Sequence, residues 1–318
     1  MSGTRQPAAP YGAMPWLQRH WDARAAVNFM AGGAGSGLVV AAALAVPFGG
    51  TPPWLPALGA VIVVIGLIAV WAEIGRPLRA LNVLLHARRS WMTREALAAG
   101  ALLGAVAAWV STASVRDPVA TGQAAGAAPW LTGFAALAAL VFVYCQGRIL
   151  QAAKGIPAWR EPLITPLIVS TALAEGSGLA LLLLSLGSGI TPNASLSPPL
   201  SVLFAAALVA RLVLWLAWRK RLRTAARALA EIDRAGHLFK GSTWLAIALG
   251  LADLLAPSAP LLALALPLAG LLALAGGLWF KFTLVRRAAF NQGFALPRLP
   301  VRGVRHVSHV SRANPPPH

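Results

Sequence analysis

The sequence predicts an all-α integral membrane protein of eight transmembrane helices, arranged as two parallel four-helix halves. Three observations carry this. Of 318 residues, 58% are hydrophobic and only 11% are charged, against about 25% charged residues in an ordinary soluble domain. Uncharged apolar runs of about 20 residues, the length that crosses a bilayer, recur along the whole chain. The basic residues fall in alternate connections, as they do when one side of a membrane retains them.

The same composition excludes an ordinary cytosolic enzyme. A net charge of +18 would point to nucleic acid on a soluble protein, but on a membrane chain it reports orientation, and no nucleic-acid partner is expected. The single cysteine, Cys145, lies in an apolar run. It leaves no internal disulfide, thiolate metal cage or Cys-x-x-Cys-His haem attachment to build.

In chain order the predicted spans cover approximately residues 27–48, 56–72, 96–113, 130–147, 163–186, 196–218, 242–256 and 261–280. The first is too long for a signal-peptide core and is followed by Pro47 and Gly49-Gly50, so it reads as retained. The last two follow from one long stretch in which Asp253 is the only charge between Trp244 and Phe280, broken at Pro257-Ser258-Ala259-Pro260.

Lys and Arg number three before the first span, five in the second connection, three in the fourth, seven in the sixth and seven after the eighth. The first, fifth and seventh connections carry none, and the third only Arg116. Both termini are therefore expected in the cytoplasm of a bacterial-type inner membrane. Residues 1–25 read as a mobile N-terminal segment, 26–150 and 151–294 as the two membrane halves, and 295–318 as a disordered basic, Pro-rich tail.

The two halves rest on a repeat. Gly33-Ala34-Gly35-Ser36-Gly37-Leu38 in the first span is echoed by Ala174-Glu175-Gly176-Ser177-Gly178-Leu179 in the fifth. The bland reading is chance recurrence of small residues in Ala- and Gly-rich helices. Gly33 and Gly37 form a small-xxx-small pair that lets helices approach closely. A nucleotide loop fails, because no strand precedes and the spacing is not G-x-G-x-x-G.

None of the six histidines falls within an apolar run, which argues against a haem held by histidines inside the membrane. His306, His309 and His318 in the tail do not make a persuasive metal set, and no metal is expected in this chain. Ionisable groups in spans are costly and therefore candidates for function. Glu73 ends the second span, three residues before Arg76, with which it could form a local ion pair. Glu175 lies near the middle of the fifth span and Arg211 deep in the sixth, where a buried Glu175–Arg211 pair is expected. Asp253 and Asn28 complete the set, Asn28 with a helix cap as its alternative. For the ionisable groups the choice is between quinone hydrogen bonding or proton delivery and a structural or snorkelling role.

The most specific motif is Glu73-Ile74-Gly75-Arg76-Pro77-Leu78-Arg79-Ala80-Leu81 followed by Arg88-Arg89-Ser90-Trp91-Met92-Thr93-Arg94-Glu95. Physically, Pro77 ends or bends a helix, Thr93 and Glu95 suit the start of the next, and Trp91 fits an interfacial belt. Arg76, Arg79, Arg88, Arg89 and Trp91 are candidates for docking a partner, with topology signals as the alternative.

This motif resembles the membrane anchor subunit of dimethyl sulfoxide reductase-type molybdoenzymes, related to the polysulfide-reductase (NrfD-like) membrane subunits. The resemblance implies an anchor for a molybdopterin catalytic subunit and a four-cluster ferredoxin-like iron–sulfur subunit, exchanging electrons with menaquinone or ubiquinone. Molybdopterin and the clusters would lie in those partners. Many relatives carry His before the Gly-Arg-Pro segment, whereas here Ala72-Glu73-Ile74 stands there, which makes Glu73 the substitute. Two other classes fit the same composition, a small-molecule transporter and a purely structural anchor without a quinone site.

Overall fold

A computed structural model describes residues 14–48, 51–73, 90–115, 129–187, 197–255 and 264–293. Among them the chain is helical, with one isolated bridge between Leu17 and Phe290. Eight long helices are α1 (Ala23–Ala45), α2 (Trp54–Glu73), α3 (Trp91–Val115), α4 (Pro129–Ala152), α6 (Ile164–Gly187), α7 (Ser197–Arg221), α8 (Ala226–Leu255) and α9 (Ala265–Arg286). A single short turn of helix, α5 (Pro157–Arg160), sits in the connector after α4. Seven of the long helices are long and apolar enough to cross a membrane, and the chain is a multi-pass membrane protein.

The helix that is not among those seven is α8. The sequence reads residues 219–240 as a basic connection before a span at 242–256, but the helix starts at Ala226 and runs on without a break. Its first half is held by charge: Arg219 at the end of α7 makes a two-pronged contact with Asp233, each bond 2.6 Å. Arg219 thereby holds the Asp233 carboxyl below its ordinary range.

The two most deeply buried spans, α1 and α6, carry the two copies of the glycine motif, and these copies meet. A Cβ on Gly37 would run into the Ala172 carbonyl, and one on Gly176 into the backbone of Gly37 and Leu38. Only glycine permits backbone to lie on backbone at this crossing. Around it α1 packs on α2 and α4, and α3 on α4; in the same way α6 packs on α7 and α9, and α8 on α9.

Helices α1, α3 and α6 begin, and α2, α4 and α9 end, at one end of the bundle, where several ties close it. Asp22 caps α1 by accepting from the Arg24 amide at 2.7 Å, and Arg24 reaches across to the Ala72 carbonyl at 2.7 Å. The stretch before α1, inside the segment that the sequence sets apart as mobile, is pinned to the stretch after α9. The Trp16 amide donates to Asn291 Oδ1, and the Asn291 amide donates to the Trp16 carbonyl, both at 3.0 Å. Trp159 of α5 is buried beneath this strap, stacks on Trp21 at 4.9 Å and donates to the Leu284 carbonyl. Residues 1–13 and the tail from 294 lie outside the described residues.

Candidate functional site

Within about two turns of that end, three helices bring buried polar side chains together. Asn28 lies in the first turns of α1 and is 4% exposed. Glu95 lies in the first turns of α3, on the face that also buries Ala98, Ala99 and Leu102, and is 8% exposed. Gln146 belongs to the last turns of α4 and is fully buried. Asn28 Nδ2 donates to Glu95 Oε1 at 3.2 Å, and Gln146 Nε2 donates to the Asn28 carbonyl at 3.0 Å. Gln146 also interacts with the Glu95 carboxylate. Gly32 leaves room for the Gln146 amide, since a Cβ there would occupy its place.

The cluster is not closed on itself. Asn28 Oδ1 and Gln146 Oε1 are buried acceptors with no hydrogen-bond partner. Orphaned buried acceptors cost about 1–3 kcal/mol each, and here two of them sit beside a carboxylate. A ligand that donates hydroxyl hydrogens satisfies them, and a quinol has two such groups.

A second buried constellation occupies the other side of α1. The sequence leads one to expect Glu175 to pair with Arg211, but Glu175 Oε2 instead accepts from Lys281 Nζ at 2.5 Å, and both side chains are 0% exposed. The sequence reading places Lys281 beyond the eighth span; α9 in fact continues to Arg286 and turns Lys281 inward. Gly33 on α1 makes room for the ammonium and Gly277 on α9 for the carboxylate. Arg211 is fully buried too, but it donates to Thr243 Oγ1 at 2.6 and 2.9 Å and to the Ala273 carbonyl at 2.8 Å, over the Phe239 ring. Hydrogen-bond acceptors on α8 and α9 thus take the place of the expected carboxylate.

Glu73 lies at the end of α2, where its Oε1 accepts from the Asp22 amide at 3.4 Å, a weak tie to the start of α1. Its expected partner Arg76, and with it Arg79, Arg88 and Arg89, lie outside the described residues. Trp91 opens α3 and is only partly buried, with the guanidinium groups of Arg94 and Arg148 over its ring. Asp253 lies near the end of α8. Among the described residues no group of three or more His, Cys, Asp or Glu could hold a metal ion.

Residues 57–241, more than half of the chain, match the family of the DMSO reductase anchor subunit (DmsC). The chain belongs to this family. No curated protein matches it. The match to the DMSO reductase anchor family spans Glu73, Glu95, Gln146, Glu175 and Arg211, while Asn28 and Lys281 lie outside it. The motif that carries the resemblance in the sequence, residues 73–95, falls wholly within it.

Sequence reasoning names Asn28 and Glu175 but not their partners. Glu95 reads as a residue facing helix-end amides; that role falls to Ser90, whose Oγ accepts from the Thr93 amide at 3.3 Å. The overlooked signal is periodicity, because Glu95 precedes Ala98, Ala99 and Leu102 at the helical spacing of a buried stripe. Gln146, an uncharged residue inside the predicted span 130–147, gives no sequence signal that tells a buried polar contact from an exposed one.

Proposed function

We propose that the chain is the membrane anchor of a molybdopterin and iron–sulfur oxidoreductase of the DMSO reductase type, and that it binds quinol and passes electrons to the iron–sulfur subunit. The observation that carries this reading is the cluster of Asn28, Glu95 and Gln146, with its two orphaned acceptors close to one end of the bundle. A bound quinol supplies two electrons and two protons. The chain's own groups divide the remaining work. Asn28 Oδ1 and Gln146 Oε1 accept from and orient the headgroup hydroxyls. The Glu95 carboxylate, held at Oε1 by Asn28 Nδ2, takes the two protons one after the other at Oε2 and releases each to water at the nearby end of the bundle. Neither step requires a metal in this chain.

In this reading α8 also spans the membrane through its apolar second half, giving eight spans in two parallel four-helix halves, 26–150 and 151–294. The matching pairings of α1, α2, α3 and α4 with those of α6, α7, α8 and α9, and the meeting of the two glycine motifs, support it. Both termini and the motif-bearing end face the cytoplasm of a bacterial-type inner membrane, where the basic connections favour retention. The molybdopterin and four-cluster iron–sulfur subunits dock there, near the Asn28 cluster, on a surface that includes Arg76, Arg79, Arg88 and Arg89, with Trp91 at its lipid-facing edge. Glu73 and Arg211 then serve the fold more than the quinol, since each is engaged by groups of the chain itself; Glu175 is held by Lys281 through Oε2 while its buried Oε1 has no hydrogen-bond partner, so it stays a second candidate for proton transfer.

Purification of the tagged chain from its native membrane in a mild detergent tests the assembly. Two larger subunits with molybdenum and iron are expected to accompany it; a folded, metal-free chain that purifies alone overturns the reading. Orientation is read separately, from a cysteine introduced at Arg88. It is expected to react with an impermeant maleimide only in inverted vesicles, and reaction in intact cells overturns the cytoplasmic placement.

A further inference from the structure

The exposed surface of α3 and α4 carries a feature that neither the quinol cluster nor the ion pair uses. On α4, Trp130, Phe134, Leu137, Val141 and Tyr144 follow one another at helical spacing, and they are between 43% and 73% exposed. The next position of that stripe is Arg148. On α3 the corresponding stripe runs from Arg94 through Leu97, Ala101, Gly104 and Ala108. A Cβ added at Gly104 would meet nothing within 4 Å. Since α3 packs along α4, a ridge of large apolar side chains runs beside a strip that is small beyond the exposed Leu97, and each stripe ends in an arginine.

The two arginines converge. Their guanidinium carbons lie 4.2 Å (Arg94) and 4.8 Å (Arg148) from the centroid of the Trp91 ring. Tyr144 meets the same indole edge-on at 5.9 Å. Arg148 donates to Gln151 through Nη1 at 2.5 Å, while its Nε has no hydrogen-bond partner. Glu95, next in sequence to Arg94, is turned the other way, toward Asn28.

From this geometry we propose that Arg94, Arg148 and Trp91 form a binding site for one anionic phospholipid, its phosphate held by the two guanidinium groups and one acyl chain laid along the small-residue strip of α3. Basic groups between helices at the membrane surface bind anionic headgroups, and guanidinium matches phosphate geometry. The indole and phenol rings occupy the interfacial level, where aromatic side chains gather. The apolar stripes favour a lipid over an acidic protein surface, because they continue from the arginines towards the far ends of both helices and remain exposed there. The proposal rests on the membrane reading of the chain and not on the quinol site.

The test is native mass spectrometry of the full chain, purified in mild detergent with whatever companions it keeps, and titrated with dioleoyl phosphatidylglycerol or dioleoyl phosphatidylcholine. Wild type is expected to bind one phosphatidylglycerol in preference to phosphatidylcholine. Arg148→Gln and Arg94→Gln are each expected to weaken this binding about fivefold, the equivalent of about 1 kcal/mol per arginine near a charged membrane surface. Arg234→Gln, at an exposed ion pair, leaves it unchanged. Equal binding of the two lipids by wild type overturns the proposal, and that result does not depend on any variant folding. Unchanged binding in a monodisperse arginine variant overturns it too. Competition by millimolar inorganic phosphate indicates a soluble-anion site and overturns the lipid assignment. Loss of the companion subunits from an arginine variant with lipid binding intact assigns the arginines to docking, and overturns it as well.

Discussion

Glu95→Gln is expected to leave the chain folded and assembled but to lower quinol-dependent turnover by about 100-fold, the lower range of what one positioned proton acceptor contributes. The substitution preserves the shape of the side chain and an oxygen that Asn28 Nδ2 can still reach, so the cluster keeps its packing. What it removes is the group proposed to receive the protons of the quinol. The measurement is steady-state turnover with a soluble quinol analogue, set beside turnover with a reduced dye that feeds the iron–sulfur subunit directly. The first rate falls and the second does not. Equal loss of both rates assigns Glu95 to assembly, and full quinol-dependent turnover in the variant removes it from the site.

The second large effect concerns stability. Glu175→Leu leaves Lys281 without the carboxylate it pairs with, at 0% exposure and deep among helices. Breaking a buried pair from one side costs about 3–5 kcal/mol, whereas replacing both members with apolar residues of similar size is often neutral. The single variant is therefore expected to lose most of its folded yield and the double variant Glu175→Leu with Lys281→Met to recover it. Thermal unfolding followed by size-exclusion chromatography reads both. A double variant that retains quinol-dependent turnover supports a structural role for the pair; a stable double variant without turnover places Glu175 and Lys281 in proton delivery instead.

The parts of the architecture that were legible in the sequence depend on patterns repeated over many residues. Apolar runs locate the seven spans well, since hydrocarbon thickness imposes their length. The start of α8 was not legible, because a charged amphipathic stretch reads the same whether it is a loop or a helix continuing out of the bilayer. The site was half legible. A carboxylate in a long apolar run announces itself, as Glu175 does. Its partner did not, since Lys281 stands among other basic residues near the end of α9 and only the helix rotation turns it inward. Arg211 was recognised as buried, but its partners, a threonine hydroxyl and a backbone carbonyl, carry no sequence signal that could have separated them from their neighbours.

The strap that ties the stretch before α1 to the stretch after α9 bears on how the chain is made. Trp16 and Asn291 are bonded across 275 positions of sequence, and α1, an early product of translation, is packed against α9, a late one. Until α9 arrives, Gly33 and Glu175 face an empty place where the Lys281 ammonium will lie. α1 therefore keeps its Gly33 face unmatched even after α2, α4 and α6 have packed on it. Arrival of α9 fills that face and brings Asn291 to Trp16, so the buried ion pair and the strap can form only after all the other described helices have been made.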